Sequence, residues 1–238
     1  MAWFRRKRRA AVHPPTMAVD REDTPSPSDD DAAADAGEVT EARGPFDVSE
    51  VPDLGERIDL GVLRVPQVEG MQAQIGLDST KRAPVGITVT LGDSALQLQV
   101  FAAPKSRGIW NEVRAERAEM LAAQSATVTE SYGPHGHELL AEVPVTTPAG
   151  SGVRPMRFVG VDGSRWLLLA TFFGPAAKDP TRARSLEDLL ADVVVARGDR
   201  PYPPKRIIPL TLPGQPESND ARPSLQMPSR GPEIQETR

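Results

Sequence analysis

From residue 58 onward, apolar and polar side chains alternate in short runs. Ile58, Leu60 and Val62 alternate with polar or small residues as far as Val65-Pro66, and Met71, Ala73, Ile75 and Leu77 alternate with Gln72, Gln74 and Gly76. Val85, Ile87, Val89 and Leu91 alternate with Gly86, Thr88 and Thr90, and Leu96, Leu98 and Val100 with Gln97 and Gln99. Side chains two apart on a strand share a face, so each run predicts a strand with one apolar side and one Gln/Thr side. Half-polar strands of this kind build an antiparallel sheet with one covered face. Glu69-Gly70, Asp78-Ser79 and Gly92-Asp93 are turn-forming pairs at the joints.

The period then lengthens. Ser106 is placed to cap a helix over 107–124, with Ile109, Val113, Met120 and Leu121 near one stripe and Trp110 at its border. Strands are expected at 126–132 and 138–145. A hairpin over 154–173 follows, turning at Asp162-Gly163 between two apolar runs. Asp179 before Pro180 starts a second helix, continued by Leu186, Leu189, Leu190 and Val193 at helical spacing. Val193-Val194-Val195 reads either as the end of that helix or as a short last strand. The expected fold class is α+β: a mostly antiparallel sheet packed with two main helices. The order of four strands and a helix, twice over, is a weak pseudo-repeat without residue-level identity between the halves.

Composition shifts sharply at both ends. Of 238 residues 24 are Pro and 19 Gly, and Pro, Ser, Asp and Glu crowd both ends, outside the apolar centre. Residues 1–44 and 213–238 are therefore expected as disordered tails around one α+β domain at 45–212, which has a Phe46/Val48/Val51 lead-in and a Pro-rich strap near Ile207, Ile208, Leu210 and Leu212. The first tail is split in charge. Arg5, Arg6, Lys7, Arg8 and Arg9 follow Trp3 and Phe4, while acidic residues dominate from Asp20 to Glu41. No apolar h-region follows the basic start, which argues against a secretion signal, and no run approaches the roughly 20 residues a membrane span needs. With no cysteine, disulfides and thiolate metal sites are excluded. A cytoplasmic location is the expectation.

Four segments carry a family resemblance: Gly-Pro-Phe-Asp-Val-Ser-Glu-Val-Pro-Asp at 44–53, Ile-Asp-Leu-Gly-Val-Leu-Arg-Val-Pro at 58–66, Ser-Ala-Leu-Gln-Leu-Gln-Val-Phe-Ala-Ala-Pro at 94–104, and Arg-Phe-Val-Gly-Val-Asp-Gly-Ser-Arg-Trp at 157–166. Together they resemble an uncharacterised actinobacterial domain-of-unknown-function family over about residues 44 to 212. Its members also tend to begin with a short basic run. The resemblance implies a bacterial cytoplasmic protein and brings no activity and no catalytic residue. The order of strands and helices after Arg-Val-Pro is also similar to Mog1/PsbP-like domains, which implies a binding or assembly role.

Candidate chemistry is sparse. His135-Gly136-His137-Glu138 is the most metal-like stretch, because His at i and i+2 on a strand share a face. It follows Gly133-Pro134, so a hairpin loop is the simpler context, and a site would need further ligands. No Gly-x-Ser-x-Gly, triad setting or phosphate loop occurs, and Glu112, Glu116 and Glu119 read as a solvated helix face. No catalytic, cofactor-binding or metal residue is assigned, and no cofactor is implied. Trp3, Phe4, Arg5, Arg6, Lys7, Arg8 and Arg9 are candidates for weak contact with anionic lipid or nucleic acid. Thr24-Pro25-Ser26-Pro27 is a candidate phosphate acceptor. Pro201-x-x-Pro204-x-Arg206 has the spacing of a polyproline ligand, although a stiff strap is the simpler reading. The sequence favours a non-catalytic module that binds or assembles with a protein partner or small ligand through the Gln/Thr face or its loops. The alternatives are a peripheral membrane or nucleic-acid-associated factor recruited by residues 3–9, and an enzyme or metal protein using His135 and His137.

Overall fold

The computed structural model describes residues 44–80, 83–148 and 150–214. The Trp3-to-Arg9 cluster, the Thr24-Pro25-Ser26-Pro27 motif and, apart from Gly44, Pro213 and Gly214, the tails expected at 1–44 and 213–238 lie outside the described residues. Strands and helices follow in the order β1 Phe46–Asp47, β2 Arg57–Asp59, β3 Leu63–Pro66, β4 Gln72–Leu77, β5 Pro84–Leu91, β6 Ser94–Ala102, α1 Trp110–Ala123, β7 Thr127–Gly133, β8 Gly136–Thr147, β9 Gly150–Gly163, β10 Trp166–Phe173, α2 Pro180–Ala191 and β11 Val194–Val195, with a 3-10 turn at Gly174–Ala177. The fold is α+β, with mostly antiparallel sheet and two main helices. Among the described residues a seven-stranded antiparallel sheet runs β4-β5-β6-β10-β9-β8-β7, and a small sheet runs β1-β11-β3-β2.

The alternating strands form where expected. In β6, Leu96, Leu98 and Val100 are buried on one face, and Gln97 and Gln99 lie on the other. Gly92-Asp93 joins β5 to β6 as a two-residue turn, since Leu91 pairs with Ser94. The Asp179 carboxylate accepts from the Thr181 and Arg182 N–H groups at the start of α2, next to Pro180.

Other expectations give way to tertiary contacts. Residues 58–66 form two strands rather than one, because the Asp59 carboxylate accepts the Gly61 N–H at 2.9 Å and folds the chain into a tight hairpin. In β4, Ala73 and Leu77 are exposed, since an edge strand has less to pack against. The 154–173 hairpin turns two residues later than expected. Gly163 pairs with Trp166, leaving Ser164 and Arg165 as the loop. Gly163 lacks a Cβ because one would overlap the Trp166 indole.

Asp162 is thereby freed for another role. Its carboxylate accepts from the Ile109 N–H at 2.8 Å and from the Trp110 N–H, so it caps α1 from 53 residues away, and Ser106 does not cap it. This helix start leaves Trp110 buried against Gly160, where a side chain would overlap the ring, and turns Met120 outward to 53% exposure. Asp162→Ala is therefore expected to destabilise the protein by about 1 kcal/mol in urea denaturation, while Ser106→Ala leaves the midpoint unchanged.

The large sheet is covered on both faces at its centre, not on one. Leu167 and Leu169 of β10 pack with Ile109 and with Trp110, Val113 and Leu121 of α1, while Leu168, Ala170 and Phe172 pack with Leu186, Leu189 and Leu190 of α2 and with the small sheet. An uninterrupted apolar run of this kind belongs to a strand buried on both sides. The Gln/Thr face survives only toward β4, β5 and β6, where Gln72 and Gln74 stand opposite Thr90 and Thr88.

The lead-in is held by main chain. The Phe46 and Val48 N–H groups donate to the Val193 and Val195 carbonyls, so Val193-Val194-Val195 ends as a strand beside β1. The Pro-rich segment is a strap. The Ile208 N–H donates to the Val100 carbonyl, Leu210 to Pro84 and Thr211 to Leu60, with Ile208 and Leu210 buried. Lys205 of the Pro-x-x-Pro-x-Arg segment reaches Glu112 at 2.7 Å and also pairs with Glu116, both on α1.

Candidate functional site

The wing β7-β8-β9 extends beyond α2, and period two sorts its side chains into ranks facing that helix. Pairing register aligns Ser131 with Glu138 and Val159, Thr129 with Leu140 and Arg157, and Thr127 with Glu142 and Pro155. Across from them α2 presents Pro180, Arg184, Glu187 and Asp188, residues whose spacing of four, seven and eight places them on one helix face. The 3-10 turn closes one side with Ala176, Ala177 and Lys178. Between wing and helix lies a cleft of about 810 Å³, a size typical of small-molecule sites. Hydroxyls of Thr127, Thr129 and Ser131 and the apolar side chains of Leu140 and Met156 line it.

A charged cluster sits in the cleft wall. Arg157 stacks on the Phe172 ring at 4.1 Å, hydrogen-bonds Glu187 through Nη2, and lies 3.7 Å from Glu138 through Nη1. His135 occupies the two-residue loop between β7 and β8, and its Nε2 lies 3.2 Å from Glu187 Oε2. Glu138 is 3% exposed, and its Oε1 has no hydrogen-bond partner. That oxygen rests over Gly133, where a Cβ would overlap it.

The two carboxyls are pushed in opposite directions. Burial raises Glu138, the distant Arg157 only partly offsets this, and the neighbouring Glu187 charge adds to the rise. Burial also acts to raise Glu187, but the His135 contact and the Arg157 guanidinium outweigh it and hold that carboxyl below its usual value of 4.5. The consequences for stability have opposite signs. A lowered folded value adds stability above 4.5 that is lost as pH falls through it; a raised one removes stability as pH climbs above 4.5. Glu187→Gln should therefore cost most at neutral pH and converge on the parent in acid, whereas Glu138→Gln should gain on the parent as pH rises. Urea midpoints of the three proteins between pH 3 and 8 check both signs.

The hairpin loop expected after Gly133-Pro134 forms, and His135 and His137 do not share a strand face. His135 lies in the loop and turns to α2, while His137 packs edge-on against Tyr132, ring centres 5.3 Å apart. The His137 carbonyl instead accepts the Trp110 indole N–H at 2.7 Å. Among the described residues no group of three or more His, Asp and Glu side chains is placed to hold a metal ion. No described helix is long and apolar enough to cross a membrane. Sequence reasoning missed Arg157 and Glu187, and named Glu138 only as the carboxylate of the metal-like stretch. The available signals were an arginine beside Phe158 and Val159 in an apolar strand, and a glutamate between Leu186 and Leu190 on the packed side of a helix.

Sheet, helices and cleft together define an α+β protein whose ligand-sized cleft opens between a sheet wing and a helix. The chain belongs to the DUF3710 family, described as proteins of unknown function, which matches residues 44–219. No curated protein matches the sequence. Among solved structures the chain is similar to a Bacteroides thetaiotaomicron protein at 10% identity and TM-score 0.34, over 60% of this chain and 48% of that one, so it spans about half of that protein. It is also similar to cyanobacterial PsbP (CyanoP) from Synechocystis sp. PCC 6803 at 9% identity and TM-score 0.34, over 56% of this chain and 86% of that one. Both likenesses are too loose to bear on activity.

Proposed function

We propose that this protein is a non-catalytic binding or assembly module, with the cleft between the β7-β8-β9 wing and α2 as its binding site. The observation that carries this reading is a cleft of about 810 Å³ that combines exposed hydroxyls, apolar walls and a built-in charged cluster. Convergence of a few fixed polar groups on an apolar recess is the usual form of a ligand site. Arg157, Glu187 and His135 are occupied with one another rather than poised around a nucleophile, which favours binding over turnover. Residues 45–212 act as the domain, flanked by the two tails, and the likeness of the four sequence segments supports a bacterial cytoplasmic setting.

The test is a small-metabolite mixture titrated into the full chain and followed by NMR. Shifts should centre on Thr129, Leu140 and Met156 and vanish in Leu140→Trp, which fills the cleft. Shifts centred on Gln72, Gln74, Thr88 and Gln97 would move the binding surface to the open sheet face and sink the cleft reading.

A second reading rests on Trp3, Phe4 and the five cations Arg5, Arg6, Lys7, Arg8 and Arg9. Aromatic rings at headgroup depth and cations on phosphates would hold the protein weakly to anionic lipid or nucleic acid. Co-sedimentation with phosphatidylserine vesicles or DNA that disappears in salt and on deletion of residues 1–10 supports it; binding that survives the deletion overturns it.

A further inference from the structure

We propose that the cleft takes a cationic amine, an ammonium or guanidinium head on an apolar body, with Glu138 as the group that receives the head. This rests on the cleft being a binding site and names the class of its ligand. Among the described residues the lining brings together the carboxylates of Glu138, Glu142, Glu187 and Asp188 and the bases Arg157, Lys178 and Arg184. Two of those bases are already engaged: Lys178 pairs with Glu142, and Arg157 is fixed by the Phe172 ring on its face and by Glu187 at its edge. An incoming anion would meet Arg184 at the rim but would face carboxylates further in.

The two inner acids are neutralised unequally. Glu187 has the Arg157 hydrogen bond on one oxygen and His135 beside the other. Glu138 has Arg157 at 3.7 Å, beyond hydrogen-bond reach, although its side chain is almost wholly buried. Its Oε1 is a buried acceptor without a donor on the wall of a ligand-sized recess. A buried acceptor left unmatched is costly, and a charged N–H donor is its strongest complement. Ser131 stands opposite Glu138 in the pairing of β7 with β8, and its hydroxyl is available for a second N–H of the same head. Leu140 and Met156 supply the wall for the apolar body.

Calorimetric titration of the full chain with 1-hexylammonium, 1-hexanol and hexanoate separates head from body. Hexylammonium should bind about tenfold or more tightly than hexanol, as a charge-assisted bond to a buried carboxylate implies, and hexanoate more weakly than either. Glu138→Gln should remove most of the hexylammonium advantage and leave hexanol unchanged. Gly133→Ala, which displaces the carboxylate but keeps its charge, should do the same. Equal binding of amine and alcohol, or tighter hexanoate, overturns the amine assignment while leaving the cleft as a binding site. Failure of all three probes to bind, or binding that persists in Leu140→Trp, overturns both. The ranking of the three probes on the parent protein decides the matter even if a variant fails to fold.

Discussion

Arg157→Ala should destabilise the protein by about 3–5 kcal/mol at neutral pH, the range expected when a buried ion cluster loses one partner. Arg157 is the shared cation of Glu138 and Glu187, and its removal leaves both carboxyls facing each other across the same wall. It also strips the guanidinium from the Phe172 ring. At about 2–4 °C per kcal/mol for a domain of this size, the melting midpoint should fall by roughly 10 °C. The deficit should shrink in acid, where Glu138 and Glu187 take up protons and no longer repel. Changing all three residues together to Met, Leu and Leu should recover most of the loss, since a buried ion pair is often no better than apolar side chains of similar volume. A loss below about 1 kcal/mol for Arg157→Ala would mean that the carboxyls do not depend on it.

The second large effect is expected at Trp166. Its ring is buried at the end of β10 within the cluster shared by the small sheet and α2, and its indole N–H donates to Asp47 Oδ2 at 2.7 Å. Trp166→Ala should cost about 3–5 kcal/mol, through lost burial and the cavity left against Gly163. Trp166→Phe keeps most of the volume and removes the donor, so about 1 kcal/mol is expected. Burial acts to raise the Asp47 carboxyl, but the bonds from Trp166 and Ser49 prevail and lower it below 3.8. That contribution is present above 3.8 and fades as pH drops, so the hydrogen-bond part of the Trp166→Phe deficit should diminish near pH 3. Urea titrations at pH 7 and pH 3 read the difference directly.

What could be read in the chain was whatever its neighbours in sequence determine. Strand periodicity in β5 and β6, the Gly92-Asp93 turn and the Asp179-Pro180 helix start depend on residues within a few positions, and each forms as its local chemistry requires. The α1 cap could not be read this way, because the acceptor is Asp162, brought from the far end of a hairpin. Moving Asp162 from turn to cap also shifted the turn to Ser164 and Arg165. The cleft was invisible for the same reason. Glu138, Arg157 and Glu187 lie on three elements, and each alone resembles an ordinary charged residue until the sheet register and the placement of α2 bring them together. The metal-like spacing of His135 and His137 yields no shared face because the loop signalled by Gly133-Pro134 does not keep the alternation of a strand.

The strap and the β1–β11 pairing set the order in which the protein can be made. Phe46 lies beside Val194, and Leu210 donates to Pro84, so segments from the two ends of the described chain must meet before the edges are satisfied. A ribosome delivers the partner of β1 about 150 residues after β1 itself, and the strap later still. Such distant pairings form slowly and leave strand edges open in the interval. Synthesis arrested before residue 205 would release a chain with the Val100 and Ala102 main chain uncovered, a form open to self-association that the finished protein avoids.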